Sequence, residues 1–158
     1  MTTDEAVLEK LADEEERLQF PRFDNDVAIA IGLELVARGR AGRLPIAVDV
    51  TCHGHQLFHA ALPGTSADNG EWIRRKNRVV NRFARSSLYM GTLCRIKGVT
   101  LEEKYILPPF DYAPHGGAFP VRIRGSLPIG TITVSGLPQI DDHALVVAVI
   151  ADHLATRS

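Results

Sequence analysis

The chain has 158 residues, 45% of them apolar, which reads as one globular domain with a substantial core. A formal net charge of −1 and a pI near 6.6 exclude a protein built for general nucleic-acid binding. No apolar run approaches the ~18 residues of a membrane span, and acidic residues stand at the N-terminus where a signal peptide carries positive charge, so a cytoplasmic location is expected.

In chain order, residues 4–18 carry Val7, Leu8, Leu11 and Leu18 among charges, the spacing of an amphipathic helix. Pro21 interrupts it, and Asp24 caps a second helix that is apolar on most of its circumference and closes at Gly39 and Gly42. Leu44 to Thr51 alternates as a strand with Ile46, Val48 and Val50 on one face. His53-Gly54-His55 turns the chain into a second strand, Gln56 to Leu62. Asp68, with Glu71 three residues on, reads as the capping box of a third helix. Ser86 or Ser87 starts a fourth, ending near Gly98, and Thr100 a short helical piece before Pro108-Pro109. The loop DYAPHGG leads into a second hairpin, Ala118 to Arg124 and Ile129 to Ser135, turned at Gly125 to Pro128. Asp141 is read as the cap of a last helix with Leu145, Val146, Val149, Ile150 and Leu154 inside. Two hairpins among helices predict an α+β domain, an antiparallel sheet covered by helices.

The third helix is two-faced. At roughly 100° per residue, Arg74, Arg78, Arg82 and Arg85 fall in an arc of about 80°, with Trp72, Ile73, Val79, Val80, Phe83 and Ala84 opposite. Guanidinium forks suit an anion site; the alternatives are a solvated face or a subunit interface paired with acids such as Glu14 to Glu16. Cys52 and Cys94 lack paired spacing and read as reduced, buried thiols.

The segments ALPGTSADNGEWIRRKNRVVNRFARSS, DYAPHGGAFPVRI, IGTITVSGLPQ and DHALVV resemble signature blocks of the cytosolic branch of the haem-degrading domain family, with its HbpS-like and GlcG-like relatives. The resemblance covers roughly residues 20–155, with the blocks in order. It implies a profilin-like fold, a central antiparallel sheet flanked by helices, and dimer-based homo-oligomers. It brings in haem as a ligand class without implying an established activity.

Arg75 and Lys76 match the family's Arg-Lys pair after the tryptophan and read as border residues between the basic and apolar faces. His115-Gly116-Gly117 matches the family block: the glycines admit close backbone approach to a ligand, and the histidine can move a proton or donate. Ser86 and Ser87 are expected to add hydroxyl donors. His53, His55 and His59 are scattered by the turn and lack a completing carboxylate or cysteine, which argues against a metal site. Asp142-His143 has no serine or cysteine elbow beside it, and no phosphate-binding glycine loop is present. The leading expectation is a cytosolic oligomer binding a small anion, haem included, through Arg75, Lys76, Ser86, Ser87 and the loop of His115, Gly116 and Gly117. Two alternatives stand beside it: an interaction protein presenting the arginine ridge to an acidic partner, and an enzyme on haem or small organic acids with His115 as acid/base. Neither nucleic acid nor membrane is an expected partner.

Overall fold

The computed structural model describes residues 3–156. The elements are α1 (Thr3–Arg17), α2 (Asn25–Ala41), β1 (Ala47–Cys52), β2 (His55–Ala61), α3 (Ala67–Phe83), α4 (Ser87–Lys97), α5 (Leu101–Tyr105), β3 (Ala118–Val121), β4 (Gly130–Ser135) and α6 (Gln139–Thr156). The strands form one antiparallel sheet in the order β2-β1-β4-β3. The expected α+β architecture is therefore present. Both expected hairpins pair, the first through His53 and Gly54, both at positive φ as a two-residue turn between twisted strands requires. No helix among the described residues is long and apolar enough to cross a membrane.

The two faces of the sheet differ in chemistry. Ile46 just before β1, Val48 and Val50 of β1, Ile132 and Val134 of β4, and Phe119 and Val121 of β3 are buried against α2 and α6, whose Ile31, Leu35, Val146, Val149 and Ile150 complete the main core. The alternate residues meet α3, and there the sheet is polar. Asp49 is 2% exposed, yet its carboxylate accepts from Thr51 Oγ1 at 2.8 Å, Gln56 Nε2 at 2.8 Å and Asn77 Nδ2 at 3.3 Å. Asn77 in turn accepts from Thr133 Oγ1 at 2.5 Å. A helix docked on hydrogen-bonding groups is held in one register, because a slip would orphan them in a dry interface.

Local signals mostly act as read, with two shifts. Asp24 caps α2 by accepting from Val27 N, Ser86 caps α4 by accepting from Tyr89 N, and Thr100 caps α5 by accepting from Glu103 N. The capping box of α3 is Ser66 with Asn69, two residues earlier than Asp68 with Glu71, so Glu71 is free to pair with Arg74. Asp141 lies exposed within α6 rather than capping it; Asp142 reaches back to accept from Gly136 N and Leu137 N. Both cysteines are buried, and burial pushes the Cys52 thiol up to about 11.

The acidic end of α1 folds inward. Glu14 Oε1 lies 2.9 Å from His143 Nε2, and Glu15, 2% exposed, lies 3.4 Å from Arg85 Nε. Burial raises the Glu15 carboxyl above its usual value, against the lowering pull of Arg85, Ser86 and Arg122. Arg85→Ala is expected to cost about 2 kcal/mol at pH 7, below the ~3–5 of a fully buried pair because Arg85 keeps 29% of its side chain exposed. With a raised folded pKa, Glu15 takes up a proton in the fold before it does in the unfolded chain. The penalty should therefore shrink as pH falls toward 4.5, since a neutral carboxyl needs no cation. Urea melts of wild type and variant at pH 7 and pH 5 check this, and a penalty independent of pH would refute the coupling.

Candidate functional site

The site stands at the end of the sheet where β4 runs out and β3 begins. Gly136-Leu137-Pro138 leaves β4 and enters α6, and the chain from α5 arrives beside it as His115-Gly116-Gly117. A cleft of about 310 Å³ opens there, lined by Asn69, Trp72 and Lys76 of α3, Ser135, Gly136 and Leu137 after β4, Gln139 and Asp142 of α6, and His115. The glycines make the approach possible. Gly117 sits at φ +140°, and a Cβ there would stand 2.3 Å from Val134 O and 2.7 Å from Lys76 Nζ. A Cβ on Gly116 would stand 2.2 Å from Gln139 O, while its N–H donates to Gln139 Oε1 at 2.9 Å.

Lys76 is the floor of the cleft. It is 3% exposed, and Nζ donates to Val134 O at 3.1 Å and Asp142 Oδ2 at 3.2 Å. Asp142 is 1% exposed, so the two charges neutralise each other out of water. Burial lowers the Lys76 ammonium below its usual range, with Asp142 pulling the other way. Burial likewise raises the Asp142 carboxyl, opposed by Lys76 and by the Leu137 and Gly136 N–H groups. At the mouth, the His115 ring packs edge-on against Trp72 with centroids 5.7 Å apart, and the Arg75 guanidinium lies 4.3 Å over the Trp72 ring. Partial burial and then the charges of Lys76 and Arg75 hold His115 below its usual 6.5, which leaves a neutral imidazole at pH 7.

Of the residues expected at a site, Lys76, His115, Gly116 and Gly117 come together, with Arg75 at the rim. The placement of the Arg-Lys pair needs correcting: successive helix positions diverge by about 100°, so Lys76 points into the core while Arg75 stays half-buried outside. Trp72, read as part of the core face, stands instead in the cleft. Ser86 and Ser87 lie elsewhere, both fully buried: Ser86 Oγ caps α4, and Ser87 Oγ accepts from Ala118 N at 3.0 Å. Their hydroxyls are committed to backbone and, for Ser86, to Glu15. The expected four-arginine ridge stops at Arg82, because α3 ends at Phe83 with Ala84 as its left-handed C-cap and Arg85 lies beyond it; its members are largely partnered within the chain, Arg74 by Glu71, Arg78 by the Asp111 carbonyl at 3.1 Å, and Arg85 by Glu15 and the Tyr89 ring. Asn69, Ser135, Gln139 and Asp142 were not singled out for this site, because each reaches it only through contacts distant in sequence. Asp142 and Lys76 are 66 residues apart.

The family model described as "Haem degrading protein HbpS-like" matches residues 23–151. The chain belongs to the HbpS-like family. This HbpS-like chain is 51% identical over 156 residues to a UPF0303 protein of Edwardsiella ictaluri, covering 98% of each. Among solved structures it is similar to the Ybr137w protein, with a TM-score of 0.85 and 34% identity over 96% of this chain and 90% of that one. A crystal structure of a PduOC–haem complex shares the HbpS-like fold, with a TM-score of 0.64 and 18% identity over 77% of this chain and 87% of that one.

Proposed function

We propose that this protein binds a small anionic ligand in the cleft between α3, the His115 loop and the start of α6. One observation carries the reading: a buried lysine, its carboxylate already taken up by two backbone N–H groups, floors an open polar cleft with Arg75 and His115 at its mouth. Lys76 and Asp142 offset each other's charge, so the unbalanced charge at the mouth is the Arg75 guanidinium, which favours an anion. Glycine at 116 and 117 lets the wall approach, as ligand pockets with a few convergent polar groups require.

Haem is the ligand class that the family description and the PduOC–haem complex bring to this chain. The cleft residues suit it poorly within one chain. A porphyrin is a broad apolar plate and needs apolar cover on both faces, whereas only Trp72 and Leu137 offer apolar surface beside Asn69, Ser135, Gln139 and Asp142. A small hydroxy- or oxo-carboxylate matches the lining better, and the domain is read as a binding module first. Its exposed Ile106, Phe110, Leu127 and Ile140 are consistent with a homo-oligomer, and its buried thiols with the cytosol.

Trp72 is the chain's single tryptophan, so its fluorescence reports on the cleft alone. Titration with lactate at pH 7 should change that fluorescence saturably, and the affinity should tighten as pH falls below 6.5 and His115 gains its proton. In His115→Ala with Arg75→Ala the change should weaken about tenfold or more and lose that pH dependence. No saturable change in wild type would remove the small-anion reading. Haemin titration should give no saturable Soret shift; one that His115→Ala abolishes would restore the haem reading.

A further inference from the structure

Among 18 basic side chains the chain has only four lysines, Lys10, Lys76, Lys97 and Lys104; the rest are arginines. Every other basic group near the cleft is a guanidinium, and yet the buried position is a lysine. The difference is chemical. A guanidinium does not give up its proton in a protein, whereas an ammonium does so readily when buried, and the free amine is a nucleophile. Lys76 is a lining residue of the cleft, and its Nζ lies 3.2 Å from Asp142 Oδ2, a base placed to receive that proton.

We propose that Lys76 is an imine-forming amine and that the cleft takes a small 2-oxo acid, whose keto carbon condenses with Lys76 Nζ. The inference rests on the small-anion reading and names the substrate class of that site. Lys76 first passes a proton to Asp142. The Nζ lone pair then forms the N–C bond as the C=O π pair moves to oxygen, which takes a proton from nitrogen to give a neutral carbinolamine. Asp142 returns its proton to that hydroxyl, water leaves, and the nitrogen lone pair closes the C=N bond. An ammonium and a ketone have become an iminium and water, with Asp142 ionised beside the new cation. Burial favours each stage: it promotes the free amine, and it keeps bulk water off the imine. The substrate carboxylate faces Arg75, held over Trp72, and His115.

The test uses pyruvate as the probe and sodium cyanoborohydride as the trap, read by intact mass and peptide mapping, with lactate as the competitor that has no carbonyl. The expected result is a reduced adduct on Lys76 several-fold above that on Lys10, Lys97 and Lys104, suppressed by lactate. Lys76→Arg should abolish the adduct, since a guanidinium does not give up its proton to become a nucleophile. Lactate binding without an adduct at Lys76 in wild type overturns the imine and leaves the anion site standing. An adduct spread evenly over the four lysines also overturns it. Absence of both adduct and lactate binding overturns the two readings together. Because competition is read on wild type, the result does not depend on the variant folding.

Discussion

Asp142→Ala is expected to lower the stability of the fold by about 4 kcal/mol, the range for removing one partner of a buried ion pair. Two losses combine. The Lys76 ammonium, 3% exposed, would keep only the Val134 carbonyl, and the N–H groups of Gly136 and Leu137 would lose their acceptor at the turn into α6. The pH dependence identifies the cause. Without Asp142 the buried lysine falls further below its usual 10.5, so between that lowered value and 10.5 the unfolded chain binds more protons than the folded one. The variant should therefore regain stability as pH rises, at a fixed urea concentration followed by circular dichroism. Lys76→Met should show the opposite slope: Asp142, freed of its cation, rises further above 3.8, and the fold regains stability as pH falls through that raised value. Parallel slopes in the two variants would mean that the pair does not share its charge in the way the 3.2 Å contact implies.

Gly117→Ala is the second large effect, also about 4 kcal/mol, from backbone strain together with overpacking. At φ +140° a side chain is strained whatever the space, and here there is none: Val134 O lies 2.3 Å and Lys76 Nζ 2.7 Å from the new methyl. Moving Lys76 out of its pair would relieve only the second clash; the carbonyl belongs to β4, so the first needs a shift of backbone. Gly125→Ala is the control. Its φ is +79° but nothing lies within 4 Å, so it should cost only about 1 kcal/mol from the left-handed backbone. In thermal melts Gly117→Ala should fall several times further than Gly125→Ala, and it alone should lose the lactate response of Trp72. Equal losses would show that Gly117 serves only its backbone angle and that the closeness of the walls is incidental.

Much of the fold was legible because its signals are local. The alternation of Ile46, Val48 and Val50 marks one face of the first strand and the residue leading into it, the His53-Gly54 turn fixes the first hairpin, and hydroxyl and carboxylate caps start α2, α4 and α5. Where two caps competed within a few residues the reading slipped, as at Ser66 against Asp68, and Asp141, read as a cap, lies exposed inside α6. Either side chain reaches backbone N–H groups at that range, and only the packed helix axis selects one. The candidate site was half legible. Lys76, His115, Gly116 and Gly117 stood out by their residue types and by family resemblance, but Trp72 was assigned to the core and Ser86 and Ser87 to the site. A helical wheel gives a residue's bearing around its own axis. It does not say that the sheet beneath α3 ends at Ser135 and leaves Trp72 beside a cleft.

The sequence by itself determined the family, the two hairpins among helices and the basic face of the third helix as far as Arg82, because periodicity, turns and caps act over a few residues. Tertiary structure alone decided what the charges mean. Arg74 and Arg78 became surface partners of Glu71 and the Asp111 carbonyl and Arg85 a half-buried partner of Glu15, while Lys76, read as a border residue, became a buried cation beneath the cleft. The physical reason is that a charge acquires its energy from its surroundings. Lys76 and Asp142 are 66 positions apart, and the residues between them carry no local signal that the chain closes on itself and takes both out of water.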